Sequence, residues 1–146
     1  CAYEELTLAM KTMYDVDMGL KTEKMVEVSR LVTGLADVAV PPNRCIVGEK
    51  LYDIESGIIV SWLKNAGVDF PTELVPYRAG LVGQTEPKPV IGKGSGIDSI
   101  VWFLEELGIT ATQEEMMALL MDVKEKAFEV NRLLTMEEFK ELAGAE

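Results

Sequence analysis

Histidine is absent from all 146 residues. That absence excludes a Ser-His-Asp triad, a Cys-His nucleophile pair and any imidazole metal ligand. Cysteine is nearly absent as well. Cys1 and Cys45 stand far apart in sequence, with no second Cys or any His beside either one. No zinc site can be written from such a set. Sequence alone does not put the two sulfurs within bridging distance. Without a secretion signal they read as free thiols in a reducing cytoplasm. Positive charge is scarce: 14 Lys and Arg face 25 Asp and Glu, for a net charge of −11. A surface of that sign repels phosphate backbones, and no Lys/Arg cluster offsets it, so nucleic acid is excluded as a partner. No apolar run approaches the roughly 18 residues of a membrane span. No basic segment followed by an apolar one opens the chain, so a signal peptide is not expected either. The first residue is Cys1 rather than Met, and the expectation is a piece of a longer protein.

What is present is an apolar, helix-forming chain. Apolar residues make up 48%, which rules out a disordered segment. Helical spacing of Leu6, Met10, Met13 and Tyr14 predicts a first helix over residues 2–14. Thr22 is the expected cap of a second, in which Met25, Val28, Ser29 and Val32 line one side and Leu31 and Leu35 widen the stripe. Pro41 and Pro42 would end that segment. These two helices have no sheet to cover, so their apolar faces are expected to pack on something outside this stretch.

All six prolines fall between Pro41 and Pro89, with many of the glycines among them. That middle region reads as loops around one short helix near residues 56–65, with a short extended piece at 88–91. Regularity returns at Ser95. One helix is expected to run to Leu107 and stop at Gly108. Thr112-Gln113-Glu114-Glu115 and Thr135-Met136-Glu137-Glu138 are capping boxes that open two more. The fold class predicted is mostly α with little β. Three segments follow: residues 1–40, two helices; residues 41–90, an irregular linker module; and residues 91–146, a compact helical set.

Few residues carry chemistry. Glu55, ahead of Ser56 and Gly57, has the form of a general acid or base, and equally of a first-turn carboxylate favoured by a helix dipole. Tyr52 and Tyr77 are candidate proton donors, or half-buried aromatics with their hydroxyls in water. Lys93-Gly94-Ser95-Gly96 is the nearest approach to a phosphate loop, although it lacks the complete G-x-x-x-x-G-K-[ST] pattern. Lys93, Ser95 and Gly96 are therefore anion-binding candidates at a helix start, against a plain capped helix after a turn. Trp62, Trp102 and Phe103 are expected in the core. Met116, Met117 and Met121 read either as core filler or as an adaptable interaction face. No metal ligand set can be written.

Four stretches, in order, resemble a known family. Residues 28–58, "VSRLVTGLADVAVPPNRCIVGEKLYDIESGI", resemble the segment after the catalytic barrel in isopropylmalate and homocitrate synthases. These belong to the DRE-TIM metallolyase superfamily, which also holds hydroxymethylglutaryl-CoA lyase. There "SRLV" leads to P-x-N-K-x-I-V-G, an aromatic, and H-E-S-G-I-H. The positions here are Pro42, Asn43, Arg44, Ile46, Val47, Gly48, Tyr52, Glu55, Ser56, Gly57 and Ile58. "PYRAGLVGQ", "IGKGSGIDSIVWFLEELGI" and "TMEEFKEL" match later family steps.

The resemblance implies helical accessory subdomains that follow a (β/α)8 barrel. Residues 1–40 would be the last barrel helix and the one after it. Residues 41–90 would be the linker and first accessory subdomain, and residues 91–146 the second. It implies a homodimer acting on acyl-CoA and a 2-oxo or hydroxy acid, with the divalent metal and its ligands in the barrel. Glu55 and Tyr52 would then be catalytic candidates, and Ser56, Gly57 and Asn43 part of a lid over the barrel mouth. This stretch alone would be inactive. One departure matters: Ile54 and Ile59 stand where the family motif has histidine. Isoleucine neither donates nor accepts a proton. Tyr52, Asp53 or Glu55 would have to substitute, or another substrate or the lyase direction would apply. The competing reading is a stand-alone helical interaction or dimerisation module without catalysis.

Overall fold

The computed structural model describes residues 1–66 and 71–144. Residues 67–70, within the predicted linker module, and 145–146 lie outside that description. The described residues are mostly helical, as predicted, with one two-stranded sheet. The chain divides into two units, Cys1–Tyr52 with Val75–Pro87, and Asp53–Leu74 with Lys88–Glu146.

In the first unit, α1 (Tyr3–Met13) carries Glu4 and Glu5 in its first turn and Lys11 in its last, the order its dipole favours. Arg44 reaches back to α1, its Nη2 lying 3.2 Å from both Glu4 Oε1 and Glu5 Oε1. A single 3-10 turn (Thr22–Lys24) leads into α2 (Met25–Ala36). Thr22 does not cap α2, contrary to expectation. It is buried, and its Oγ1 accepts from Lys11 Nζ at 3.2 Å, so the hydroxyl is used between elements. The helix also ends well before Pro41. Asp37 takes the left-handed conformation (φ 52°) and closes it first.

The core of this unit is small: Leu8, Met25, Ile46 and Val82, with Val47, Tyr77 and Leu81 against it. A second 3-10 turn, Ala79–Val82, supplies the last of the buried four. Much of the apolar stripe read from the sequence is left uncovered. Leu6, Met13 and Tyr14 on α1, and Val28, Leu31, Val32 and Leu35 on α2, are exposed.

The second unit opens on β1 (Asp53–Ile54), paired in parallel with β2 (Lys88–Pro89), which answers the extended piece predicted at 88–91. Val90 N donates to Ile54 O at 2.9 Å and extends the pairing. Four helices follow the sequence signals: α3 (Gly57–Ala66), α4 (Ile97–Leu107), α5 (Gln113–Val130) and α6 (Met136–Leu142). Gly108 sits at φ 70° and terminates α4, a conformation that costs a residue with a Cβ about 1 kcal/mol. Both capping boxes form: Thr112 Oγ1 accepts from Glu115 N and Thr135 Oγ1 from Glu138 N, and each Glu reaches back to its Thr amide.

The core here is larger: Ile91, Ile100, Phe103, Leu104, Leu119, Leu120, Val123, Ala127, Leu134 and Phe139. Phe103 and Phe139 meet with ring centroids 5.5 Å apart. Burying a ring such as Phe139 contributes roughly 1.5–3 kcal/mol. Trp102 packs at the edge of this core. Trp62, expected inside, is 55% exposed. Gly57 and Val60 form the packed side of α3, and Ile58 and Trp62, four apart, share the opposite one. Met117 and Met121 are exposed for the same reason. The buried positions of α5 are Leu119, Leu120, Val123 and Ala127, while Met116 is only partly covered.

Candidate functional site

Glu55 leaves β1 one residue after Ile54 and stands two residues before α3 begins. Its carboxylate points at the glycine-rich turn ahead of α4. Gly94 N donates to Glu55 Oε1 at 2.7 Å, a bond spanning 39 residues of sequence. The turn is shaped around that carboxylate. A Cβ on Gly92 would lie 2.6 Å from Glu55 Oε1, and one on Gly94 would lie 3.1 Å from its Cδ. The two sequence stretches "ESG" and "GKGSG", read separately as candidates, thus come together in one unit.

The hydrogen-bonding groups of the turn are largely engaged with one another. Ser95 is buried, and its Oγ accepts from Gly92 N at 3.0 Å. Ser95 N donates to Gly92 O, and Gly96 N to Ser99 Oγ at 3.4 Å. Lys93 is exposed, with its ammonium 6.0 Å from the centre of the Phe128 ring and its carbonyl accepting from Lys124 Nζ. A small cavity of about 120 Å³ adjoins this place, lined by Glu55, Lys93, Ala127, Asn131, Arg132 and Leu133. The sequence reading had not singled out Asn131 or Arg132. Their only sequence signal is the break between α5 and the second capping box. Arg132 is turned away to Glu138, with Nη2 2.7 Å from Oε1 and Nη1 2.8 Å from Oε2.

Ser56 is exposed beside Glu55, while Gly57 is buried against Gly96. Ile54 and Ile59 are both half-buried. Neither supplies a proton to this place.

Tyr52 and Asn43 belong to the first unit. Asn43 is exposed on the turn after Pro42. Tyr52, read from sequence as a proton donor or as a half-buried ring with its hydroxyl in water, is buried, and among the described residues that hydroxyl has no hydrogen-bond partner. It meets Tyr77 edge to face, with centroids 6.5 Å apart. Burial pushes both phenols above their usual range, so each is a neutral donor at physiological pH. The same unit holds a backbone feature that was not read from sequence. Ile46 adopts φ 68°, rare for a β-branched residue, and Gln84 Nε2 donates to both Ile46 O and Gly48 O at 2.9 Å.

An apolar groove of about 690 Å³ runs along α2 in this unit, with Met25, Val28, Val32, Ala36, Val38 and Val47 among its lining. Among the described residues, no three Asp, Glu or Cys side chains come together in a way that would hold a metal ion. No helix there is long and apolar enough to cross a membrane. Cys1 and Cys45 are free and exposed.

Known proteins resemble this chain over most of its length. It is 36% identical over 141 residues to homocitrate synthase 1 of Nostoc sp., covering 97% of this chain and 36% of that protein. It is 40% identical over 123 residues to a probable 2-isopropylmalate synthase of Methanopyrus kandleri, covering 84% of this chain and 23% of that protein. It is 36% identical over 124 residues to an (R)-citramalate synthase of Methanocaldococcus jannaschii, covering 84% and 24%. The chain therefore spans between about a quarter and about a third of the length of these relatives. No protein-family model matches it.

Proposed function

We propose that this chain is the accessory and dimerisation region of a metal-dependent synthase that joins an acyl-CoA to a 2-oxo acid. The observation that carries the reading is the likeness to homocitrate, isopropylmalate and citramalate synthases over 84–97% of the chain. All three relatives are named as synthases, which favours bond formation over the cleavage run by a hydroxymethylglutaryl-CoA lyase-like enzyme. In this reading residues 1–40 are the last barrel helix and its successor, residues 41–90 the linker and first subdomain, and residues 91–146 the second. The divalent metal and its ligands belong to a barrel outside this chain, which alone is inactive. The assembly is a cytoplasmic homodimer. Tyr52 is its candidate catalytic group, Glu55 stands against the turn at Gly92 and Gly94, and Asn43, Ser56 and Gly57 are its lid. The Lys93-Ser95-Gly96 turn is its candidate anion site.

The uncovered faces of α1 and α2 support a large apolar partner, which the barrel would supply. The same faces favour the second reading, a helical interaction module with no chemistry of its own. Native mass spectrometry of the protein purified from its own cells, with denaturing masses alongside, separates the two. The synthase reading expects a much longer chain, or a tightly held barrel-sized partner. Turnover of an acyl-CoA with a 2-oxo acid and a divalent metal should accompany it. A lone chain of this length overturns the synthase reading and leaves the module.

A further inference from the structure

We infer that Glu55 is a positioning residue rather than an acid or base: its carboxylate is the fixed anion of the Gly92–Gly96 turn and holds Ser56 outward. Three observations carry this. The carboxylate already accepts a short bond from Gly94 N, at 2.7 Å. The turn can only admit it because residues 92 and 94 lack a Cβ, which would stand 2.6 Å and 3.1 Å from the carboxylate. On the far side of Ser56, Gly57 packs on the Gly96 backbone, so the short segment is pinned at both ends. Ser56, between the two pins, is the exposed residue. At Gly94 the turn thus takes its acceptor from within the chain. Glu55 gives the turn ahead of α4 a charged acceptor for the Gly94 N–H, and charge-assisted bonds of this kind are the stronger ones.

Other charges near the carboxylate are few. Lys93 and Arg132 line the same small cavity, and Arg132 is spent on Glu138. A proton shuttle needs a carboxylate free to face its substrate. Here Oε1 is already committed to the Gly94 N–H, which fixes the direction of the carboxylate. The pinning stands on geometry alone. Its consequence for turnover rests on the synthase reading.

The test begins on the 146-residue chain and needs no activity. The Gly94 amide is followed by ¹⁵N NMR through an acid titration, with the Glu55 carboxyl carbon followed in parallel. The Gly94 shift should track protonation of Glu55, and that response should vanish in Glu55→Gln. Glu55→Ala should raise the unfolding equilibrium constant by roughly 5- to 30-fold, the span of one to two hydrogen-bond energies. Glu55→Gln, which keeps an acceptor oxygen, should lose less. Gly94→Ala should match Glu55→Ala, and the double variant should be no worse than either. A Gly94 amide indifferent to Glu55, or losses that add in the double variant, overturns the inference. If a variant does not fold, the wild-type titration decides alone. In the longer enzyme, the pH profile of kcat/KM in Glu55→Gln should keep the shape of the wild-type profile at a reduced rate, and loss of a limb, the mark of an acid or base, would overturn the positioning role.

Discussion

Gly57 and Gly96 pack backbone to backbone. A Cβ on Gly57 would lie 2.7 Å from Gly96 Cα, and one on Gly96 would lie 3.1 Å from Gly57 Cα. The starts of α3 and α4 approach this closely because neither carries a side chain at the crossing. Alanine at position 57 would favour the helix by about 1 kcal/mol on propensity alone. Overpacking costs about 1–3 kcal/mol where the neighbour is backbone and cannot yield, and it should win. Gly57→Ala is therefore expected to lower the urea midpoint. Both tryptophans, Trp62 and Trp102, lie in this unit, so their fluorescence follows it selectively. An unchanged or raised midpoint would mean the helices separate at no cost.

Local signals were legible in the sequence, and long-range ones were not. Gly108, Thr112 and Thr135 act on residues within one turn of themselves, so capping rules find them. Thr22 has the same local form, but its hydroxyl is engaged by Lys11, eleven positions away, and nothing nearby announces that. Trp62 and Met121 show the limit of periodicity. A helix apolar on two sides does not say which side will be covered. The pairing of Glu55 with Gly94 was out of reach for another reason. The glycine pair at 92 and 94 signals a close approach, but not by what.

Gln84 holds Ile46 in its left-handed conformation through two carbonyls, and the two acceptors have no other side-chain donor among the described residues. Removing the amide leaves Ile46 O short of a partner and Gly48 O with its bond from Leu51 N alone, at a cost of about 1–3 kcal/mol in local stability. Gln84→Ala should accelerate hydrogen exchange at the Val47 and Gly48 amides about tenfold or more, since 1.36 kcal/mol is one decade. Gln84→Glu should be worse than Ala, because a carboxylate offers the two carbonyls no donor and repels both. Equal exchange in all three proteins would show that Ile46 is held by burial alone.

Acid should weaken the second unit. The Arg132 guanidinium, and after it the Thr135 backbone N–H, hold Glu138 at about 2, below the usual 4.5. The Thr112 backbone N–H and hydroxyl lower Glu115 in the same direction. A carboxyl depressed in the folded state stabilises it above the unfolded value and loses that contribution as pH falls through the folded one. The window for Glu138 is thus from about 4.5 down to about 2. Urea midpoints read by tryptophan fluorescence should fall across it. Arg132→Gln should flatten the fall without abolishing it, because the Thr135 amide remains. A slope identical to wild type would remove Arg132 from the account.

Leu35, 81% exposed, and Leu31 lie on the uncovered face of α2. If that face is free in this chain and covered in a longer protein, one substitution must have two outcomes. Leu31→Glu with Leu35→Glu should leave the 146-residue chain within about 0.5 kcal/mol of wild type per site, the usual range for exposed positions. Leu and Glu have similar helix propensity, and the i,i+4 repulsion between the two carboxylates and their position near the C-terminus of α2 cost only about 0.3–0.5 kcal/mol each at exposed sites. In the longer protein the same carboxylates would be taken out of water without a partner. Burying an unpaired charge costs several kcal/mol, enough to exceed the margin by which most domains fold. The longer protein should then lose its folded yield, or release this region to protease, while the short chain does not. Paired urea and proteolysis measurements on both proteins decide it. Equal tolerance in the two would mean that no apolar partner covers α2 and that its leucines are surface residues in every state.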